Sequence, residues 1–195
     1  MTTKEKIIQT ALKVFNEQGL EATSIRKIAE TMGITHGNLR YHYKTKADIV
    51  YQIFLDLQAA IDQEFENIFE EGISIAAILK TNEQSAAKFM EYRFFMYDFI
   101  AISRLYPRVK KGLQDNFKAR KQQINAVFQY FIATGILKPE PFKGIYEMIM
   151  EGLFIVNDFW MPSFEIYSEE SMEENIMYYC NLWVIHFYPY LTETG

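Results

Sequence analysis

Residues 24–46, SIRKIAETMGITHGNLRYHYKTK, concentrate the hydrogen-bonding chemistry of this chain. His36, Asn38, Arg40, Tyr41 and His42 fall within one short stretch, and every one of them can donate a hydrogen bond. Lys44 and Lys46 follow directly. Donors grouped in this way, with cations beside them, suit the base edges and phosphates of a DNA major groove. Leu39 and Tyr43 are the only residues of the stretch fitted to anchor it. A helix held by one or two side chains, with the rest pointing outward, is built to touch a partner.

The elements around the stretch are set to position it. Ile25, Ile28, Ala29 and Met32 recur at helical spacing and predict a helix with one apolar face. Ser24 suits its N-cap, where the helix end can also face a phosphate. Gly33 stops that helix in the left-handed conformation, Ile34 plugs the turn, and Thr35 caps a second helix over about 36–43. Upstream, Thr2 and Glu5 have capping-box spacing ahead of a helix that buries Ile8, Ala11, Leu12 and Phe15 and ends at Gly19. Together these make a three-helix unit whose small core sets Ile8, Leu12 and Phe15 against Ile25, Ile28 and Leu39.

At this point the sequence resembles the TetR-type family of bacterial helix-turn-helix transcriptional regulators. The residues that carry the resemblance are Thr23-Ser24-Ile25-Arg26-Lys27-Ile28-Ala29, Gly33-Ile34-Thr35, Gly37-Asn38-Leu39, Tyr41-His42-Tyr43 and Lys46. They cover about the first fifty residues. The resemblance implies a DNA-binding surface made of Ser24, Arg26, Thr35, His36, Gly37, Asn38, Arg40, Tyr41, His42, Lys44 and Lys46. Arg40 departs from the pattern, standing where the family usually has Tyr at a position that commonly meets the DNA backbone. Arg can make that contact too, and it can also fork onto guanine, so base preference can differ.

Charge agrees once the chain is divided. The whole carries −5. Residues 1–50 hold eight Lys and Arg against five Asp and Glu, a net of +3, and residues 51–195 a net of −8. A basic head on an acidic body confines DNA contact to the head. Cys180 is the single cysteine, so neither an internal disulfide nor a cysteine metal cluster is expected. No cofactor is expected either. The N-terminus lacks a signal-peptide core, and Asp98, Glu151 and Asp158 interrupt the most apolar stretches, which points to a cytoplasmic protein with no membrane span.

The rest of the chain also reads as helix. Ile49, Ile53, Leu57, Ile61 and Phe65 predict one long helix over about 46–69, stiff enough to carry a movement from one end to the other. A short helix over 75–79 is expected next, then one capped by Asn82 and running to about Leu105. Pro107 opens a helix that sends Val109, Leu113, Phe117, Ile124, Val127, Phe128 and Phe131 inward and stops at Gly135. Pro141 opens another, expected to end near Pro162. Ser171 and Glu174 form a second capping box for a last helix to about Phe187. The run Lys110, Lys111, Lys118, Arg120, Lys121 reads as a solvated face.

Of the 31 Phe, Tyr and Trp residues, only Phe15, Tyr41 and Tyr43 lie in the first fifty. The segment 89–99 is apolar nearly all round, which fits a dense core or a cavity lined by aromatics and Met. The resemblance favours the cavity, because these regulators typically bind small molecules in the second domain. Phe89, Tyr92, Arg93, Met96, Phe99, Phe128, Ile149 and Trp160 are the expected ligand contacts. Arg93 needs a partner if buried: Glu147 or Glu151 across a helix pair, or the carboxylate of an acidic ligand. Asn157 and Asp158 pose the same choice between a satisfied core group and a ligand contact. The last two helices are apolar on more than one side. In the resembling family such a pair forms the dimer interface, here expected through Ile145, Ile149, Gly152, Tyr179, Trp183, His186 and Phe187.

The expected fold is all-α, with a helix-turn-helix head over 1–46 and a ligand-binding and dimerisation domain over 47–195. The expected function is control of transcription, as a repressor, by a homodimer on palindromic operator DNA that a small, mainly apolar effector releases. Activation is the alternative sense of that control. An enzyme would need a metal cluster, a Gly-rich phosphate loop or a nucleophile–His grouping, and none is visible in the spacing. A carrier of hydrophobic ligands would explain the aromatic body but leaves the donor-rich head without a purpose.

Overall fold

A computed structural model describes residues 1–193, excepting the side chains of Glu70 and Glu71. The described residues form α-helices joined by loops: α1 Thr3–Gln18, α2 Ile25–Met32, α3 His36–His42, α4 Lys46–Glu71, α5 Ile75–Glu91, α6 Arg93–Tyr97, α7 Phe99–Leu105, α8 Pro107–Ala133, α9 Ile145–Tyr167 and α10 Met172–Phe187. A 3₁₀ turn, Tyr188–Tyr190, follows. Among the described residues the one extended pairing is an isolated bridge between Leu137 and Leu191. No helix of the described residues is long and apolar enough to cross a membrane.

Contacts divide the chain into two compact units, residues 1–62 with 88–112, and residues 63–87 with 113–195. The first contains α1–α3. Ala11, Phe15, Ile28 and Leu39 are fully buried there as expected and Ile7 joins them, while Leu12 and Ile25, also expected in this core, are only half-buried. Asn16 of α1 ties this core to the α5–α6 junction. Its amide donates to the Glu91 carbonyl at 2.8 Å, and its side-chain oxygen accepts from the Phe94 amide at 3.1 Å. The Phe15 and Phe94 rings meet with centroids 5.0 Å apart.

The second unit is built on a cluster of Ile124, Val127, Phe128, Phe131, Leu137, Tyr146 and Met150. Lys121 of α8 joins it to α9 by ion pairs with Glu147 and, at 2.9 Å, Glu151. The bond to Lys121 holds the Glu147 carboxyl below its ordinary pKa. Both carboxylates proposed as partners for Arg93 are therefore taken by Lys121.

Four expectations need correction. Asn82 caps nothing: α5 runs unbroken through it from Ile75 to Glu91. Ser74 accepts from the Ala77 amide at 3.1 Å and starts the helix instead. Ile78, Ala86 and Phe89 keep helical spacing across Asn82, so nothing interrupts the ladder. Pro141 does not open α9. That helix begins after Gly144, which has φ of 89°, and Glu140 accepts from the amides of Gly144 and Tyr146. Nor does Pro162 end α9, which continues to Tyr167. Finally, Phe117 does not point inward. It stays 39% exposed, with its ring 4.7 Å from that of Phe154.

Candidate nucleic-acid interface

The helix pair α2–α3 is assembled by local bonds that its own sequence supplies. Ser24 accepts from the Lys27 amide and Thr35 from the Asn38 amide, each at 3.1 Å. Each cap satisfies a donor that a helix start leaves open. Gly33 takes φ of 71°, a conformation that costs a residue with a Cβ more, and its amide returns to the carbonyls of Ala29 and Glu30. The turn between the helices is therefore tight, and α3 leaves it on a fixed course.

Of the seven residues of α3, only Leu39 is buried. His36, Gly37, Asn38 and Arg40 are exposed, His42 is half-buried, and Tyr41 is 85% exposed with its ring edge-on to that of His42. An aromatic ring that far into water contributes little to folding, so Tyr41 is not held by the core. Ser24 and Lys44 are exposed beside this face, and exposed Arg26 is steadied by Glu30 at 3.0 Å. Lys46, half-buried like His42, differs from the other expected contacts in that its ammonium is turned inward: it donates to the Leu20 carbonyl and lies 5.8 Å from the Phe15 ring centroid. Burial lowers its pKa. Tyr43 is buried at the end of α3, beneath the Lys4 ammonium.

The second unit holds a cavity of about 60 Å³. A single water needs roughly 10–15 Å³. Its walls come from α4 (Phe65, Ile68), α5 (Ile78, Asn82), α8 (Phe128, Phe131) and α10 (Trp183, Phe187), with Leu137 and Leu191 among the others. Asn82 and Thr81 are the polar side chains in this otherwise apolar lining.

A family model for bacterial regulatory proteins of the tetR family matches residues 7–53, and one for a bacterial transcriptional repressor matches residues 56–195. The chain belongs to the TetR family of bacterial transcriptional regulators. The helix pair is thus the helix-turn-helix of a DNA-binding regulator, and this is a family of regulators, not of enzymes. The HTH-type transcriptional repressor KstR2 of Mycolicibacterium smegmatis is 22% identical over 178 residues, 86% of this chain and 83% of that one. The regulator AcrR of Shigella flexneri is 24% identical over 122 residues, and the chain spans only 57% of its length. A TetR-family regulator from Marinobacter aquaeolei has the same fold, with a TM-score of 0.89 covering 100% of this chain and 93% of that one at 24% identity.

In this TetR-family chain the expected ligand residues are scattered. Phe128 lines the cavity. Phe89, Tyr92, Arg93, Met96 and Phe99 belong to the other unit, where Phe89 and Met96 are buried core. Ile149 packs against the Phe128 cluster, and Trp160 stacks on Tyr179 with centroids 4.7 Å apart. Asn157 is half-buried and hydrogen-bonded within the protein. The Tyr179 hydroxyl donates to it at 2.9 Å, and the Trp183 indole donates to that hydroxyl at 3.1 Å. Asn157 in turn reaches Asp158 at 3.4 Å, and burial pushes the Asp158 carboxyl up to about 6.

The residues expected at a dimer interface mostly face inward. Tyr179 is 2% exposed, Trp183 and Phe187 line the cavity, and Ile145 packs on the core. His186 is half-buried and bonds the Leu182 carbonyl one turn back. Gly152 is half-buried as well. The outward faces are made by other residues: Met148, Ile155 and Ile166 of α9, and Met177, Tyr178 and Ile185 of α10, each 58–69% exposed. On α9 these positions are seven and eleven apart, which returns to the same side of a helix. The sequence carries that signal, but the same spacing also fits Ile145, Ile149 and Gly152, a quarter-turn away.

Proposed function

We propose that this TetR-family regulator is a ligand-responsive repressor acting in the cytoplasm, with a DNA-reading head over 1–46 and a ligand-binding and dimerisation domain over 47–195. The observation that carries the reading is α3, a helix held by Leu39 alone with every other side chain but His42 exposed. In it Asn38, Arg40 and Tyr41 meet base edges and backbone, while Ser24, Arg26 and Lys44 hold phosphates. A homodimer joined through the outward apolar faces of α9 and α10 sets two such helices in successive major grooves of a palindromic operator, roughly 34–36 Å apart. A small, mainly apolar effector enters the cavity and favours a state that does not fit the operator. It acts to the extent that it binds that state more tightly.

The test is a salt-dependent mobility shift on DNA from upstream of the protein's own gene, with Arg40→Ala beside the wild type. Base reading by Arg40 predicts a loss of about 1–3 kcal/mol on the operator and little change on unrelated DNA. A uniform loss with a shallower salt slope assigns Arg40 to phosphate. Absence of any sequence-specific shift by the wild type overturns the reading.

A further inference from the structure

The Asn82 side chain is 6% exposed and lines the cavity, yet its amide nitrogen has no hydrogen-bond partner. We propose that the cavity takes a neutral, apolar molecule bearing a carbonyl-type acceptor, which the Asn82 amide binds. The proposal deepens the effector reading above and rests on it.

A buried amide N–H left unpaired costs free energy, so native interiors seldom keep one. The other polar groups around this cavity are spent. The Thr81 hydroxyl donates to the Glu64 carbonyl at 3.4 Å, and the Trp183 indole donates to Tyr179 at 3.1 Å. Asn82 therefore offers the donor still to be satisfied from within. The position is not one that helix formation requires. Asn is a poor residue for the middle of a helix, and α5 gains nothing local from it. An apolar residue of the same shape would fill the wall without an unpaired group. Ser85, one turn on, is 7% exposed and its hydroxyl too lacks a partner, so the buried polarity of this helix is concentrated at one place.

The rest of the lining decides the remainder of the chemistry. Phe65, Ile78, Phe128, Phe131 and Phe187 give hydrocarbon walls, and none of the described lining side chains is ionisable. Arg120 is not part of the lining; its guanidinium stacks on the Phe65 ring at 3.6 Å. A carboxylate inside would lose its hydration with no cation in the wall to replace it. A ketone or ester loses little, and its oxygen takes the Asn82 proton. One donor in an apolar pocket is also a discriminating arrangement, because a hydrocarbon leaves the amide unpaired.

Acetophenone, ethylbenzene and benzoate form a matched test set on the full-length protein. The first two differ by C=O against CH₂, and the third is charged. Titration calorimetry should show acetophenone binding about tenfold more tightly than ethylbenzene, with benzoate weaker than both. In Asn82→Leu that preference should shrink to within about twofold while ethylbenzene is retained. In wild-type protein the Asn82 side-chain amide resonance should move with acetophenone and stay with ethylbenzene, a readout that does not depend on the variant's folding. Equal binding of ketone and hydrocarbon overturns the acceptor assignment but keeps the cavity as a site. Tightest binding by benzoate overturns the neutral class. Failure of all three probes to bind overturns the cavity reading itself.

Discussion

The Lys46 ammonium donates to the backbone carbonyl of Leu20, joining the first residue of α4 to the loop between α1 and α2. A cation that DNA-binding logic assigns to phosphate is thus turned into the head. Its neighbour Lys44 is exposed.

The two lysines should therefore separate experimentally. Lys44→Ala should leave thermal stability unchanged and reduce the salt dependence of DNA affinity by about one unit. Lys46→Met should lower stability by about 1–2 kcal/mol, the scale of a partly exposed bond from a charged donor, and leave the salt slope near wild type. Denaturant melts and salt titrations read the two effects independently. A reversed pattern would place Lys46 on the DNA.

Ile155→Glu combined with Ile185→Glu sets charges in both outward apolar faces without touching the core. Sedimentation should change from dimer to monomer, and operator affinity should collapse because one head loses the avidity of two. The helical circular dichroism should persist. A double variant that still sediments as a dimer would move the interface elsewhere. Trp183→Glu, by contrast, alters the cavity wall and reports on ligand binding.

Gly112 in α8 faces the ring of Phe54, which is 1% exposed. A Cβ at residue 112 would come within 2.7 Å of the Phe54 Cζ, too close without displacing the ring. Phe54 is itself stacked on Phe95, at 5.9 Å between centroids, so it has little room to yield. Gly112→Ala should destabilise by about 1–2 kcal/mol, although Ala is the better helix former by about 1 kcal/mol. A stabilised variant would mean the ring moves freely.

Asp158 sits at about 6 instead of its ordinary 3.8, because burial disfavours its charge. The folded state therefore holds this proton more tightly than the unfolded chain does. The resulting stability is full below about pH 4 and is lost as the pH rises towards 6, to the extent of about 1–3 kcal/mol. Asp158→Asn should remove that slope and be the more stable protein at pH 7. Melting temperatures of both proteins between pH 4 and 7 measure the difference; parallel curves would show that Asp158 is not desolvated.

The features legible in the sequence are those whose physics is contained in four or five residues. Thr2 with Glu5, Ser24, Thr35 and Ser171 with Glu174 all cap as their spacing implies, since a cap needs only the next turn. Gly33 is left-handed because the chain must turn there. The exposure of α3 was legible for a related reason: a helix anchored only by Leu39 and, at its end, Tyr43 has no other face to bury.

Residue type and periodicity by themselves determined that this chain is helical and where the turn between α2 and α3 falls, and the motif at residues 23–46 carried the family resemblance. Tertiary structure decided what its polar and surplus apolar residues do. Asn82 looks like a cap by type, but the helix running through it makes it a buried residue of the cavity wall whose amide has no partner. Arg120 belongs by sequence to a solvated run, yet it is 5% exposed because the Phe65 ring covers it. Lys46 follows a basic run and turns inward. On α9 both Ile149 and Ile155 are apolar, and packing against the Phe128 cluster decides that Ile149 is covered while Ile155 stays exposed. Burial depends on what a distant segment brings to the same place, and helical spacing carries no record of that segment.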